Sequence, residues 1–183
     1  MGKIVLILGP HGVGKTTLFR YAKEQGDLLT FEGYQIPTTG FDLSKDDDFL
    51  KYQHLYSDLI RKDNERIKLS EKSGLVIRSL EESSYYYWLR GSKQLIEAFR
   101  NEYNDKSSIK ADFIIYLDAS RSVLDYRCNG DRDRYMPETI NWYATKYHLY
   151  TDYWKMYPGV IILDTENKKT EEIYENIFNI INQ

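Results

Sequence analysis

The chain has 183 residues, a formal net charge of −3 and one cysteine, Cys128. That length corresponds to a single domain over residues 1–183, long enough for a full core. The acidic balance leaves no electrostatic footprint for nucleic acid, one cysteine excludes an intramolecular disulfide framework, and no apolar stretch approaches a membrane span.

The first apolar run, Ile4-Val5-Leu6-Ile7-Leu8, reads as a buried strand. It is far too short for a secretory leader, so a cytoplasmic location is expected. It leads straight into Gly9-Pro10-His11-Gly12-Val13-Gly14-Lys15-Thr16-Thr17, which fits the phosphate-binding loop G-x-x-x-x-G-K-[ST]. A helix is expected over residues 15–25, stopping at Gly26. Residues 28–31 form a short second strand. Residues 32–40 are a loop rich in glycine, proline and threonine.

Ser44, with Asp47 three residues on, reads as the N-cap of a long helix over about residues 45–72. Asp46-Asp47-Asp48 then serves as its acidic first turn; a metal site is the weaker alternative. Gly74 is read as the end of that helix, and residues 75–77 as the third strand. One helix is expected over about residues 82–103. The fourth strand covers residues 113–117, apolar throughout and so buried on both faces. Ser120 caps a helix reaching about Cys128, and a charged loop fills residues 129–137. Another helix covers residues 138–156 and is broken at Pro158-Gly159. A fifth strand (160–163) and a last helix (170–181) follow. Five apolar strands alternating with helices imply an α/β fold with a five-stranded parallel sheet and right-handed crossovers.

Glycines in the loop let the backbone aim several N–H groups at one point, and the following helix presents its positive end there. The motif sets Lys15 on the β- and γ-phosphates of a nucleoside triphosphate and the Thr16 hydroxyl on Mg²⁺. In a parallel sheet the ligand crevice lies beyond the carboxyl ends of the strands. Glu32, Arg78 and Asp118 follow strands two, three and four and point to that crevice; a surface ion pair is the alternative for Arg78. Glu32 is a candidate base; steering a water or capping a turn are its alternatives. Arg127, Arg132 and Arg134 lie in a charged segment that reads as a closing lid over about residues 128–137. A solvated loop, its arginines paired with Asp131 and Asp133, is the other reading. Tyr85 and Tyr86 either shape an acceptor pocket or belong to the core. His54 and His148 lack metal-ligand spacing.

Taken in order, these segments resemble the P-loop nucleoside and nucleotide kinases, especially the thymidylate kinase and deoxynucleoside kinase group. The loop Gly9 to Thr17, Val76-Ile77-Arg78-Ser79, Ile115 to Ser120, Arg127 to Arg134, Tyr147 to Trp154 and Ile162-Leu163-Asp164-Thr165 carry the resemblance over nearly the whole chain. It implies the three-layer P-loop NTPase fold and a transferase moving the γ-phosphate of ATP to a nucleoside or nucleoside monophosphate. Gly9, His11, Gly12, Val13, Gly14, Lys15, Thr16, Thr17 and Arg127 would bind ATP, with Mg²⁺ on Thr16. Lys15, Glu32, Arg78, Arg132 and Arg134 would be catalytic, and Glu32, Arg78, Glu82 and Tyr86 would meet the acceptor. The resemblance also implies a possible homodimer through the long second and third helices; packing of those helices on the sheet is the alternative. Three positions depart from the family pattern. Ile77 stands where an acidic residue precedes the arginine, Gly33 where proline often follows the glutamate, and the Arg127–Arg132 spacing is one residue longer. Glu81, Glu82 or Asp42 are candidates for the missing carboxylate. A P-loop ATPase or GTPase-type switch, a small-metabolite kinase and a non-catalytic nucleotide-binding module are the rival readings.

Overall fold

The five apolar runs are strands: β1 Ile4–Leu8, β2 Leu29–Phe31, β3 Gly74–Val76, β4 Phe113–Asp118 and β5 Val160–Asp164. They form one sheet in the order β2-β3-β1-β4-β5, and every pair is parallel. The computed structural model describes residues 1–33, 37, 39–105, 108–129 and 148–183. Among these the helices are α1 Lys15–Gln25, α2 Asp46–Leu69, α3 Leu80–Arg90, α4 Lys93–Asn104, α5 Arg121–Asn129, α6 (described over residues 148–155) and α7 Thr170–Ile181.

β1 is the centre of the sheet and is buried along its whole length. Its side chains alternate between faces, as a strand requires. Val5 and Ile7 pack with Leu18, Phe19, Ala22 and Ile177 from α1 and α7. Ile4, Leu6 and Leu8 pack on the other face with Ile67, Val76, Tyr85, Tyr116 and Trp154. Each fully buried aliphatic side chain contributes about 1.5–3 kcal/mol of transfer free energy. The second face is aromatic: Tyr85 meets Tyr150 edge-on at 4.9 Å, and Tyr153 meets Trp154 at 5.1 Å. So Tyr85 belongs to the core.

Some boundaries differ from the sequence-based expectation. The single helix expected over residues 82–103 is two, because Gly91 takes the left-handed conformation and its N–H closes α3 on Tyr87 and Trp88 carbonyls. α2 stops at Leu69, and Gly74 opens β3 instead of ending the helix. The cause is packing: a Cβ at Gly74 would lie 2.5 Å from Ile67 Cδ1, so the helix crosses the strand where no side chain stands. Ser44 does not cap α2. Lys45 holds the N-cap position without a side-chain bond, and the Ser44 hydroxyl donates to Asp42 at 2.6 Å. The acidic first turn holds, with Asp46 paired to Arg90 at 3.2 Å. No group of His, Cys, Asp and Glu among the described residues is arranged to hold a metal.

Strand register brings the site together. Leu6 pairs with Val76, so Arg78 emerges beside the end of β1; Phe31 pairs with Val76, so Glu32 emerges beside Ile77.

Candidate active site

One cleft of about 1100 Å³ opens at the carboxyl ends of the strands, and the whole loop Gly9 to Thr17 lines it. Gly14 is the N-cap of α1, no side chain caps it, and the first turn carries no acidic residue. That combination presents a helix's positive end to the cleft and suits an anion. Lys15 Nζ donates to the Gly9 carbonyl at 2.5 Å and the Pro10 carbonyl at 2.9 Å, so its ammonium sits over the loop. These residues fit a triphosphate, and Thr16 lines the same cleft.

The far end of the cleft is built by β2, β3 and α3. Glu32, Gly33, Ile77, Arg78, Glu82 and Tyr86 line it. Ser79 caps α3 by accepting from the Glu82 N–H at 3.3 Å, which turns the first helical residues back over the sheet. Arg78 Nη1 donates to Glu82 Oε1, forming an ion pair with side-chain exposures of 35 % and 7 %. The Tyr86 hydroxyl donates to the same oxygen at 3.4 Å. Burial raises the Glu82 carboxyl above its ordinary range and outweighs the opposite pull of Arg78, Lys15 and Tyr86. The carboxylate in turn holds the Arg78 guanidinium above its already high value. Glu82 and burial raise the Tyr86 hydroxyl, which stays protonated. Tyr52 and Tyr56 of α2 face Arg78 electrostatically, and burial with the Tyr56 hydrogen bond raises Tyr52 to about 12.

Gly33 has φ +88°, and a Cβ there would meet Arg78 Cγ at 3.1 Å. Proline holds φ near −65°, so the chain turns at this position in a way closed to it. Glu32 is exposed. Of the three alternative carboxylates only Glu82 lines the cleft. Glu81 faces away, accepting from the Ala111 N–H at 3.1 Å, and Asp42 is occupied by Ser44.

At the other end Arg127 bridges two walls. Its Nη1 donates to the Gly12 carbonyl at 3.4 Å and its Nη2 to the Thr165 carbonyl at 3.3 Å. The Thr165 N–H donates to the Asp118 carbonyl at 2.8 Å, which fixes the loop after β5 against the end of β4. Asp118 itself is a correction: it does not line the cleft, because its carboxylate pairs with Lys155 at 2.5 Å. The sequence reading missed Lys168 and Ile173, which line this end. Nothing local marks them; only the loop's return to the sheet brings them in. His11 and Arg127 line the cleft as expected, whereas Arg132, Arg134 and most of the expected lid lie outside the described residues.

No family model and no curated protein matches the chain. Several solved structures do. Deoxyadenosine kinase from M. mycoides, determined with the products dCMP and dCDP, is 21 % identical over 98 % of each chain, with a TM-score of 0.63. The YorR protein of Bacillus subtilis, in complex with phosphorylated GDP, is 14 % identical over 98 % of this chain and 96 % of its own, at 0.57. A sugar kinase from Janibacter sp. HTCC2649 is 17 % identical over 98 % and 94 %, also at 0.57. The chain has the α/β fold of the P-loop nucleoside and sugar kinases.

Proposed function

We propose that the protein is a kinase that transfers the γ-phosphoryl group of ATP to a nucleoside or nucleoside monophosphate. The observation that carries this reading is the two-ended cleft. A phosphate loop occupies one end, and the exposed Glu32, the Arg78–Glu82 ion pair and Tyr86 occupy the other. A hydrolase needs only the first compartment; a transferase needs the second to hold an acceptor in line with the phosphate.

The loop N–H groups and Lys15 hold the β- and γ-phosphates. Lys15 leaves the Gly9 and Pro10 carbonyls to do so. Thr16 would hold Mg²⁺, which supplies charge neutralisation at the transferring group. Arg78 orients the acceptor beside the loop. For a hydroxyl acceptor, Glu32 takes the proton as the acceptor oxygen bonds to phosphorus and the bridging oxygen leaves with ADP. Arg132 and Arg134 are proposed to close over the transferring group. Arg127 holds the two walls of the donor end together, and the whole chain serves as one kinase domain.

The test is ADP release from Mg-ATP with each nucleoside, nucleoside monophosphate and common sugar added separately, with Lys15→Ala as control. Release that depends on a nucleoside or nucleotide and vanishes in the variant is the expected result. Release without any acceptor moves the protein to the ATPases, and release with sugars alone moves it to the metabolite kinases.

A further inference from the structure

The acceptor end of the cleft carries an unusual charge arrangement for an enzyme that handles phosphates. Among the described residues lining it, the one cation is Arg78, and Glu82 and Glu32 are its acidic neighbours. Arg78 is not offered to a ligand as a full charge. Its Nη1 is spent on Glu82 Oε1, and that carboxylate is buried, with its side chain 7 % exposed. Tyr86 donates to the same oxygen, which keeps the carboxylate in place. A buried carboxylate deprived of its cation is costly, so a ligand phosphate that drew Arg78 away from Glu82 would strand that carboxylate. Among the described residues this end has two carboxylates and one guanidinium, and Lys15 of the loop also acts on Glu82 electrostatically. The cations Lys15, Arg127 and Lys168 line the loop and donor portions of the same cleft.

We propose that Glu82 is a specificity-determining residue that keeps phosphate out of the acceptor end, so that neutral nucleosides enter and the phosphorylated product is expelled. The inference rests on the kinase reading above and narrows its acceptor to the unphosphorylated class. Glu82 acts through Arg78 and is a positioning residue, not a base: its Oε1 is already engaged by the guanidinium and the Tyr86 hydroxyl, whereas Glu32 is exposed to the cleft. The same geometry accounts for the departure at Ile77. The carboxylate that would precede the arginine in the resembled family is supplied here from four residues after it, on the first turn of α3.

The test compares wild type, Glu82→Gln and Glu82→Asp as full chains, using an active nucleoside and its 5′-monophosphate. The readout is the ratio of the monophosphate inhibition constant to the nucleoside KM. Replacing one charge across a partly hydrated cleft should lower that ratio about tenfold in Glu82→Gln. Glu82→Asp keeps the charge and should keep the wild-type ratio. A general packing defect would move both variants alike. An unchanged or raised ratio in folded Glu82→Gln overturns the role of Glu82 while leaving the kinase reading intact. A protein that phosphorylates no nucleoside overturns both. Wild type supplies a test that does not depend on a folded variant. Without donor, it should bind the monophosphate more weakly than the nucleoside, with the gap narrowing as salt is raised. Tighter binding of the monophosphate overturns the proposal.

Discussion

Arg78 and Glu82 stand four residues apart and form an ion pair whose carboxylate is nearly sealed from solvent. Removing the guanidinium leaves that carboxylate stranded. Arg78→Met is expected to lose about 2 kcal/mol, less than a fully buried pair would, because the arginine is partly exposed. Arg78→Met with Glu82→Gln should recover part of the melting temperature and none of the transfer activity. Thermal melts beside ADP assays check this. A double variant no more stable than the single one would show that the pair is not the cause.

Glu32 is an exposed carboxylate that lines the cleft beside Arg78. Glu32→Gln should lower kcat for a hydroxyl acceptor by roughly 10²–10⁴ and leave the melting temperature unchanged. Near-wild-type turnover in that variant would remove the base from Glu32.

Lys15 is held by the loop carbonyls of Gly9 and Pro10. Lys15→Ala should reduce turnover by roughly 10²–10³, the scale of losing one preorganised cation at the transferring group. Mg-ATP titration followed by calorimetry, run beside the activity assay, separates lost binding from lost chemistry. Retained turnover would place the phosphates elsewhere.

Gly33 turns the chain at the wall of the cleft with φ +88°. Gly33→Pro, which introduces the residue common in the resembled family, should cost about 1–3 kcal/mol of backbone strain and raise the acceptor KM. Stability and KM equal to wild type would contradict the left-handed turn.

Glu81 is 1 % exposed, and burial raises its carboxyl above the ordinary carboxylate value. The native state therefore holds this proton more tightly than the unfolded chain. Its contribution to stability is full below the ordinary glutamate pKa and is lost as pH rises through the raised native value. Glu81→Gln should stabilise the protein at pH 7, by on the order of 1 kcal/mol. That gain should shrink as pH falls towards 4.5, the ordinary value. Melts across that range read the effect, and a gain that does not depend on pH would exclude the carboxyl's titration as its source.

Much of the fold is legible in the chain because its signals are local. An unbroken apolar run before a glycine loop makes β1, and the glycine after residue 25 closes α1 where the sequence marks it. The last helix also spans its expected residues. The phosphate loop needs no partner to be recognised, since its spacing alone defines the cradle. Arg78 and Glu32 are readable as crevice residues from their places after strands.

What the sequence could not decide depends on groups far apart in the chain. Glu81 and Glu82 are neighbours with the same chemistry, but a helix turns each residue about 100° from the last. One carboxylate therefore meets Ala111 and the other meets Arg78. Asp118 ends its strand as expected, yet Lys155 from a distant helix takes its charge and withdraws it from the cleft. Gly74 reads as a helix stop until Ile67 is seen to need its missing side chain. By itself the sequence determined the strands, the phosphate loop and the residues that follow each strand, because backbone propensity and short-range spacing dictate them. Only the tertiary structure decided which carboxylate pairs with which cation, because burial and electrostatic pairing belong to the space between elements.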